Sequence, residues 1–112
     1  MQEPVLKTVT KEEVKEHMHS GTAIVVNVLG PDSYRDHHIQ GSISIPLKDL
    51  TEGGYSNIDR SRKVITYCAS YTCNASRKAA SFLAEKGFDS YAYEGGIKEW
   101  EESGLPVGRG ST

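Results

Sequence analysis

Two cysteines stand near the middle of the chain, at the junction between a predicted strand and a predicted helix. A short apolar and β-branched run, Val64 to Tyr67, ends at Cys68, and small or polar residues follow it as far as Ser76. Backbone N–H groups and the positive end of a helix dipole at such a junction favour a thiolate over a thiol, and they attract anions. The spacing therefore predicts thiolate chemistry on an anionic group.

The second cysteine, Cys73, is open to three interpretations. It could be a buried residue at the start of the helix. It could be a resolving thiol that forms a disulfide with Cys68, which requires Cα atoms within about 7 Å of each other. It could also be the nucleophile itself, because it is closer to the helix N-terminus.

The histidines do not favour a zinc site at these cysteines. They lie at positions 17, 19, 37 and 38, far away in sequence and without ligand spacing. We expect His38 to brace the turn before Ile39, and we expect neither a metal nor an organic cofactor. Arg77, at the start of the predicted helix, could attract an anionic donor or be a solvated helix residue.

Composition limits the function classes that the chain can belong to. The 112 residues carry a net charge of −2 and no basic stripe interleaved with aromatics, so we expect no nucleic-acid partner. No apolar run has the length of a signal peptide or a membrane span, and two cysteines do not make a disulfide scaffold. We expect one domain over residues 1–112 with its core at about 5–107, a loose tail at 108–112, and a cytoplasmic location.

Strand and helix patterns alternate along the first half of the chain. Residues 5–9 are typical of a short strand, and Thr10 with Glu13 forms a capping box for a helix that Gly21 ends. A continuous apolar run at residues 23–28 is typical of a strand covered on both faces. A short helix near residues 33–36, a brief strand at 42–45 and a poorly defined stretch at 47–62 follow.

The second half repeats this alternation. After the strand at residues 64–67, a helix begins near Asn74 or Ser76, either of which could be its N-cap, and it ends at Gly87. Residues 90–93 form a last strand, and a helix at 97–102 buries Trp100. Alternating elements of this kind predict an α/β fold, with a central parallel sheet of about five strands and helices on both faces.

The ordered residues from Val5 to Val107 resemble a single-domain rhodanese, a sulfurtransferase homology domain. The resemblance rests on the following segments in order: Asn27-Val28, Tyr34 to Ser42, Ile45-Pro46, Tyr67-Cys68, Ala79-Ala80, Gly87-Phe88, Gly95-Gly96-Ile97, Trp100 and Gly104-Leu105-Pro106. No single segment decides the matter, but the ordered set is specific and covers nearly the whole chain.

The resemblance implies a sulfurtransferase in which Cys68 carries a sulfane sulfur as a persulfide. An anionic donor such as thiosulfate would supply the sulfur, and a thiol, a sulfur-carrier protein or cyanide would accept it. N–H groups of the loop after Cys68 would stabilise the anionic sulfur as an oxyanion hole does. The expected substrate-binding residues are Ala69, Ser70, Tyr71, Thr72, Cys73, Asn74, Ala75 and Arg77.

Three departures from the family pattern keep two alternatives open. Asn27 and Leu29 stand where members often have Asp-x-Arg, and His37 replaces a usual glycine. The loop after Cys68 is also longer than in the short-loop sulfurtransferases, which is a feature of rhodanese-fold phosphatases and arsenate reductases. Those enzymes have an arginine six positions after the cysteine, where this chain has Asn74. The other alternative is a non-catalytic rhodanese module that binds a partner.

Overall fold

A four-stranded parallel sheet forms the centre of the computed structural model, which describes residues 6–110. The strands are β1 (Ala23–Asn27), β3 (Ile43–Ser44), β4 (Lys63–Tyr67) and β5 (Ser90–Tyr93), in the spatial order β3-β1-β4-β5. In the register of the sheet, Asn27 lies beside Tyr67, and Tyr67 lies beside Tyr93. The predicted α/β fold is confirmed, and β4, which precedes Cys68, is central.

The predicted strand at the start of the chain is reduced to a single bridge. Thr8 pairs in parallel with Ala92, beside β5, and two backbone hydrogen bonds hold it there: Ala92 N–H to Lys7 O and Val9 N–H to Ala92 O. The chain leaves the sheet immediately afterwards, because Thr10 is the N-cap of the first helix. Val5, the first residue of the predicted strand, lies outside the described residues.

The described residues contain five α-helices, and four of them pack on the two faces of the sheet. They are α1 (Lys11–Ser20), α2 (Pro31–Asp36), α3 (Leu47–Thr51), α4 (Ala75–Glu85) and α5 (Gly96–Glu102), with a 3-10 turn at Gly54–Asn57. On one face Val14 of α1 and Trp100 of α5 pack against Ile65. On the other face Leu50 of α3 and Leu83 of α4 pack against Val64. Alternate residues of one strand therefore contribute to two separate cores, as in a sheet covered on both sides.

The capping box at α1 and the left-handed glycine after it are both confirmed. Thr10 Oγ1 accepts a hydrogen bond from the Glu13 N–H, the Glu13 carboxylate accepts one from the Thr10 N–H, and Gly21 has φ 72°. No helix within residues 6–110 has the length and apolar character needed to cross a bilayer.

Residues 107–110 are better ordered than the sequence indicates. Strands β2 (His38–Ile39) and β6 (Val107–Gly108) form an antiparallel pair that the sequence analysis misses. Residues 108–110, expected to belong to a loose tail, are held by hydrogen bonds: Arg109 donates to Asp36 O, and the Gly110 N–H donates to Arg35 O. Gly108 permits this pairing because a Cβ there would lie 2.5 Å from His38 Nε2.

Candidate functional site: a two-thiol loop at the end of the central strand

The loop of residues 68–74 connects β4 to α4 and is attached to the start of α5. The N–H of Ile97 donates to Cys68 O at 3.0 Å, and the N–H of Lys98 donates to Ala69 O at 2.9 Å. Gly96 has φ 66°, and a Cβ on it would lie 2.5 Å from Cys68 O. Only glycine allows the two backbones to approach this closely, so Gly96 sets the position of the loop.

The residue before the loop is fixed by a buried hydrogen-bond network. The Tyr67 hydroxyl accepts hydrogen bonds from Asn27 Nδ2 and from the Ile39 N–H, and it shares a further hydrogen bond with the Ser42 hydroxyl. All four residues are buried. Asn27, which departs from the family pattern, also accepts the Leu29 N–H through its side-chain oxygen. The network explains why a neutral amide suits this position, and it rigidifies the strand end that carries Cys68.

The thiol of Cys68 is fully buried, with 0% exposure. Its S–H donates to Cys73 O at 3.4 Å. Burial raises the pKa of Cys68, and hydrogen bonding to Cys73 raises it further, because both favour the protonated thiol. The N–H and hydroxyl of Ser76 oppose this shift without reversing it. Cys68 therefore rests as a thiol.

Cys73 is in a different environment, because it is only partly buried. Burial raises its pKa, but the hydrogen bond from Cys68, the N–H groups of Ala75 and Ala69 and the charge of Arg77 lower the pKa more. The net shift is downward. The S–H of Cys68 bonds to the backbone oxygen of Cys73 rather than to its sulfur, and ionisation of either thiol disfavours ionisation of the other. Of the two thiols, Cys73 is the one that ionises more readily.

Ser76 belongs to this site, although the sequence alone does not separate a hydroxyl contact in the loop from an N-cap at this position. The N-cap position is occupied by Asn74, whose side chain makes no capping hydrogen bond. Ser76 is fully buried in the first turn of α4, and its carbonyl accepts a hydrogen bond from Thr66 Oγ1 at 2.8 Å. Among residues 6–110, its Oγ is the one buried side-chain nitrogen or oxygen with no hydrogen-bond partner in the resting geometry. A hydroxyl beside Cys68 that is not used elsewhere is available to a negatively charged sulfur.

The other predicted substrate-binding residues are brought together in the same loop but differ in exposure. Ala69 and Asn74 are exposed, and Ala75 is partly buried. The hydroxyls of Ser70 and Thr72 lie 2.9 Å apart and bond to each other. The loop therefore presents a polar outer surface, and the two thiols lie beneath it.

Tyr71 is the most exposed large side chain of the loop. It is 60% exposed, and its hydroxyl donates to Glu99 Oε2 at 3.3 Å. Glu99 also accepts a hydrogen bond from Tyr93 at 2.7 Å. These contacts leave a surface cavity of about 290 Å³ beside the loop, lined by Ser70, Tyr71, Thr72, Gly95, Lys98, Glu99 and Glu102. The cavity lies next to the loop and has both signs of charge on its walls.

Arg77 is close enough to influence Cys73, but its charge is shared. Its Nη1 lies 3.2 Å from Glu94 Oε2, and both side chains are about two-thirds buried. The guanidinium lowers the pKa of Cys73 while its donors are partly committed to a carboxylate. The guanidinium of Arg77 is therefore not free to bind a phosphoryl group with two N–H donors at once. Within the described part of the chain, no group of three or more His, Cys, Asp or Glu side chains could hold a metal ion.

The family model of the rhodanese-like domain matches residues 10–103. Among curated proteins, the HTH-type transcriptional regulator Rv0324 of Mycobacterium tuberculosis is 26% identical over 103 residues. The aligned region covers 92% of this chain and 45% of that regulator, so the chain spans less than half of the relative's length.

Solved structures share the architecture over most of the chain. The BH2092 protein of Bacillus halodurans is 28% identical with a TM-score of 0.86, and the alignment covers 94% of this chain and 78% of that one. A rhodanese-related protein of Thermoplasma volcanium is 28% identical with a TM-score of 0.81, over 91% and 97% of the two chains. A thiosulfate sulfurtransferase of Pseudomonas aeruginosa, at 21% identity and TM-score 0.75 over 96% and 21%, shares the fold alone.

Proposed function

We propose a sulfurtransferase function for this chain, which belongs to the rhodanese-like domain family. The protein takes the outer sulfur of an anionic donor such as thiosulfate and passes it to a thiol, a sulfur-carrier protein or cyanide. The observation that carries the proposal is the loop itself, in which the buried Cys68 thiol at the end of the central strand bonds to the backbone oxygen of Cys73, while the N–H groups of Ala69 and Ala75 lower the pKa of Cys73. A cytoplasmic location is part of the proposal, because two free cysteines on one loop are typical of a reducing compartment.

The chemistry requires one thiolate and no cofactor. The thiolate attacks the outer sulfur of thiosulfate, the bond between the two donor sulfurs breaks, and its electron pair leaves with sulfite. The protein then carries a persulfide with a negative terminal sulfur. An acceptor thiolate or cyanide attacks that sulfur, the persulfide bond breaks, and the cysteine thiolate is restored. Loop N–H groups stabilise the negative sulfur by charge-assisted hydrogen bonds throughout.

The predicted substrate contacts remain part of this proposal. N–H groups between Ala69 and Ala75 hold the transferred sulfur, while Arg77 contributes positive charge at close range. Ser70 and Thr72 line the adjoining cavity, where a donor or acceptor can approach. Cys68 is the persulfide carrier that the sequence analysis predicts, and this assignment stays a prediction.

The proposal is tested by the mass of the intact protein after incubation with thiosulfate. We expect a gain of one sulfur per chain, release of an equal amount of sulfite, and loss of the added sulfur as thiocyanate when cyanide follows. The control is the double variant Cys68→Ser and Cys73→Ser, which should gain no sulfur and release no sulfite. A wild-type protein that gains no sulfur from thiosulfate or from a low-molecular-weight persulfide would refute the proposed function.

A second candidate is a rhodanese module that binds a partner or reports on sulfur species without turnover. It is favoured by one observation, the similarity to part of a transcriptional regulator. Steady-state thiocyanate formation separates the two candidates. The sulfurtransferase produces many equivalents of thiocyanate per chain, whereas a module that only accepts sulfur stops after one.

A further inference from the structure

We propose that Leu29 determines the donor specificity of this site, and that it favours an organic sulfur donor with one negative charge and an apolar group over the dianion thiosulfate. Organic thiosulfonates, R–SO₂–S⁻, are donors of this class. The inference rests on the proposed sulfurtransferase function, keeps Cys68 as the persulfide carrier, and names the substrate class that fits the approach to its sulfur.

Leu29 lies where the chain leaves the sheet beside Cys68. Asn27 is paired with Tyr67 in the parallel register, and the Val28 N–H donates to Tyr67 O at 3.0 Å, so the two segments stay together past the strand ends. The Leu29 N–H in turn donates to Asn27 Oδ1 at 2.8 Å, which holds Leu29 at this edge. Ligands of open α/β sheets bind outside the carboxyl ends of the strands, and Leu29 is at that edge.

The cover over Cys68 is apolar. The Cys68 side chain is 0% exposed and belongs to the hydrophobic cluster that α3 and α4 form with the sheet. Partly buried apolar residues pack against this cluster, and those that follow the ends of β1, β3 and β4 are Leu29, Ile45, Leu47, Cys73 and Ala75. A donor that reaches the sulfur therefore has to pass or displace apolar side chains.

The charged groups beside the loop do not add up to a site for a dianion. Nη1 of Arg77 lies 3.2 Å from Glu94 Oε2, so these two side chains form a neutral pair. The cavity next to the loop has Lys98 on its walls together with the carboxylates of Glu99 and Glu102. Among these groups the carboxylates outnumber the cations, so they do not compensate the loss of water that a dianion suffers.

Charge and apolar area together favour the organic donor. The cost of removing an ion from water rises with the square of its charge, so thiosulfate loses far more hydration than a thiosulfonate when it approaches a covered sulfur. The apolar group of the thiosulfonate instead gains free energy when it leaves water and packs on Leu29 and Leu47. An arginine in place of Leu29 would reverse this preference, because a guanidinium makes charge-assisted hydrogen bonds to the oxygens of thiosulfate.

The transfer step follows the same course for both donors. The Cys68 thiol loses its proton to the solvent, and the thiolate attacks the outer sulfur of the donor. The bond between the outer sulfur and the sulfonyl sulfur breaks, and its electron pair leaves with a sulfinate, R–SO₂⁻, where thiosulfate would release sulfite. Leu29 takes no part in these bond changes, so its effect is on the binding and approach of the donor.

The effect of substitutions at Leu29 on two donors tests the inference. The ratio kcat/KM is measured for benzenethiosulfonate and for thiosulfate, with cyanide as the common acceptor. The change that each variant causes is compared, because the two donors differ in intrinsic reactivity. Leu29→Arg should lower kcat/KM for benzenethiosulfonate about tenfold or more and raise it for thiosulfate about tenfold or more. Leu29→Ala should lower only the value for benzenethiosulfonate.

Ile43→Arg is the matched control for the added charge. Ile43 is 44% exposed on the edge strand β3, and it lines a separate surface cavity with Tyr34 and Arg35. The same change of side chain there should leave both kcat/KM values unchanged. Urea unfolding curves establish that each variant is folded at the assay temperature. If Leu29→Arg does not fold, Leu29→Ala and the wild-type measurement described next decide the matter.

Inhibition of the wild-type protein gives a readout without any substitution. Benzenesulfonate has the apolar group and the single charge of the organic donor but no outer sulfur to transfer, whereas sulfate has the double charge of thiosulfate. Benzenesulfonate should inhibit persulfide formation from thiosulfate at a concentration about tenfold or more below that of sulfate.

The outcomes distinguish the inference from the function on which it rests. Changes of the same sign and size for both donors in Leu29→Arg, or stronger inhibition by sulfate than by benzenesulfonate, would overturn the inference and leave the sulfurtransferase function standing. If the wild-type protein gains no sulfur from either donor or from a low-molecular-weight persulfide, the function and the inference are both refuted. Opposite changes for the two donors in Leu29→Arg, with none in Ile43→Arg, support both.

Discussion

Replacing Gly96 by alanine tests whether the start of α5 positions the two-thiol loop. An alanine Cβ would lie 2.5 Å from Cys68 O and 2.7 Å from the carbonyl carbon of Ala69, closer than real Cβ contacts come. Gly96 also has φ 66°, in the left-handed region. The variant therefore suffers backbone strain and pushes the loop away from the N–H groups of Ile97 and Lys98.

The size of the effect follows from separating these two costs. A left-handed conformation at a non-glycine residue costs about 1–2 kcal/mol, and overpacking against a rigid backbone costs about 1–3 kcal/mol more. Gly104, at the other end of α5, is the matched control, because it has φ 77° and no heavy atom within 4 Å of a Cβ placed on it. We expect Gly104→Ala to lower the free energy of unfolding by about 1–2 kcal/mol and Gly96→Ala by about 2–5 kcal/mol.

Urea unfolding measures the free-energy difference, and thiosulfate-dependent persulfide formation measures the effect on the site. Gly96→Ala should form the persulfide at least about tenfold more slowly, because displacing a reacting group by about 1 Å slows the reaction strongly even when the donor still binds. Gly104→Ala should keep the wild-type rate at a temperature where it is folded. If both variants lose the same free energy of unfolding and Gly96→Ala forms the persulfide at the wild-type rate, then contact with α5 does not fix the position of the loop.

Three further predictions concern the same loop. Ser76→Ala should leave the free energy of unfolding within about 1 kcal/mol of wild type, because the hydroxyl has no hydrogen-bond partner. It should also raise the pH at which Cys68 is alkylated, because the Ser76 hydroxyl lowers the pKa of Cys68. The control Ser90→Ala loses a 2.6 Å hydrogen bond to Ala80 O, so it should lower the free energy of unfolding by about 1 kcal/mol and leave the alkylation pH of Cys68 unchanged. Mild peroxide should convert one thiol to a sulfenic acid that the other resolves, losing water and forming a Cys68–Cys73 disulfide; sulfinic acid on one cysteine beside an unmodified partner would contradict this. Aryl phosphate hydrolysis should be negligible beside sulfur transfer, because the guanidinium of Arg77 is paired with a carboxylate, and hydrolysis that disappears in Cys68→Ser would favour the phosphatase alternative.

Local signals predict the main elements of this fold well. The capping box at Thr10, the continuous apolar run of β1 and the β4–loop–α4 junction each have short-range causes, and the structure confirms all three. The same signals miss the β2–β6 pair, because two-residue strands have no periodicity and their pairing depends on a glycine lying against a buried histidine ring. Order at residues 108–110 follows from that pairing and from contacts to residues 35 and 36.

The candidate site is less predictable than the fold, for a physical reason. The sequence places both cysteines on one loop, but their burial depends on how the loop folds back over α4. Ser76 falls on the buried face of that helix because Thr66, on β4, holds its carbonyl. Because the helix begins one residue after Asn74, Ser76 falls inside its first turn and lies beside the Cys68 sulfur instead of capping the helix.

The length of the loop connects these observations to the chemistry. The loop is longer than in the short-loop sulfurtransferases, and Cys73 comes two residues before α4 begins, within reach of the Ala75 N–H. The strand-end cysteine is correspondingly covered by the loop that follows it. A chain that places a second thiol at the helix N-terminus therefore holds two thiols of different acidity on one loop, since the Ala75 N–H and the Arg77 charge lower the pKa of Cys73 while burial raises the pKa of Cys68. Oxidation can then join these two thiols in the disulfide predicted above.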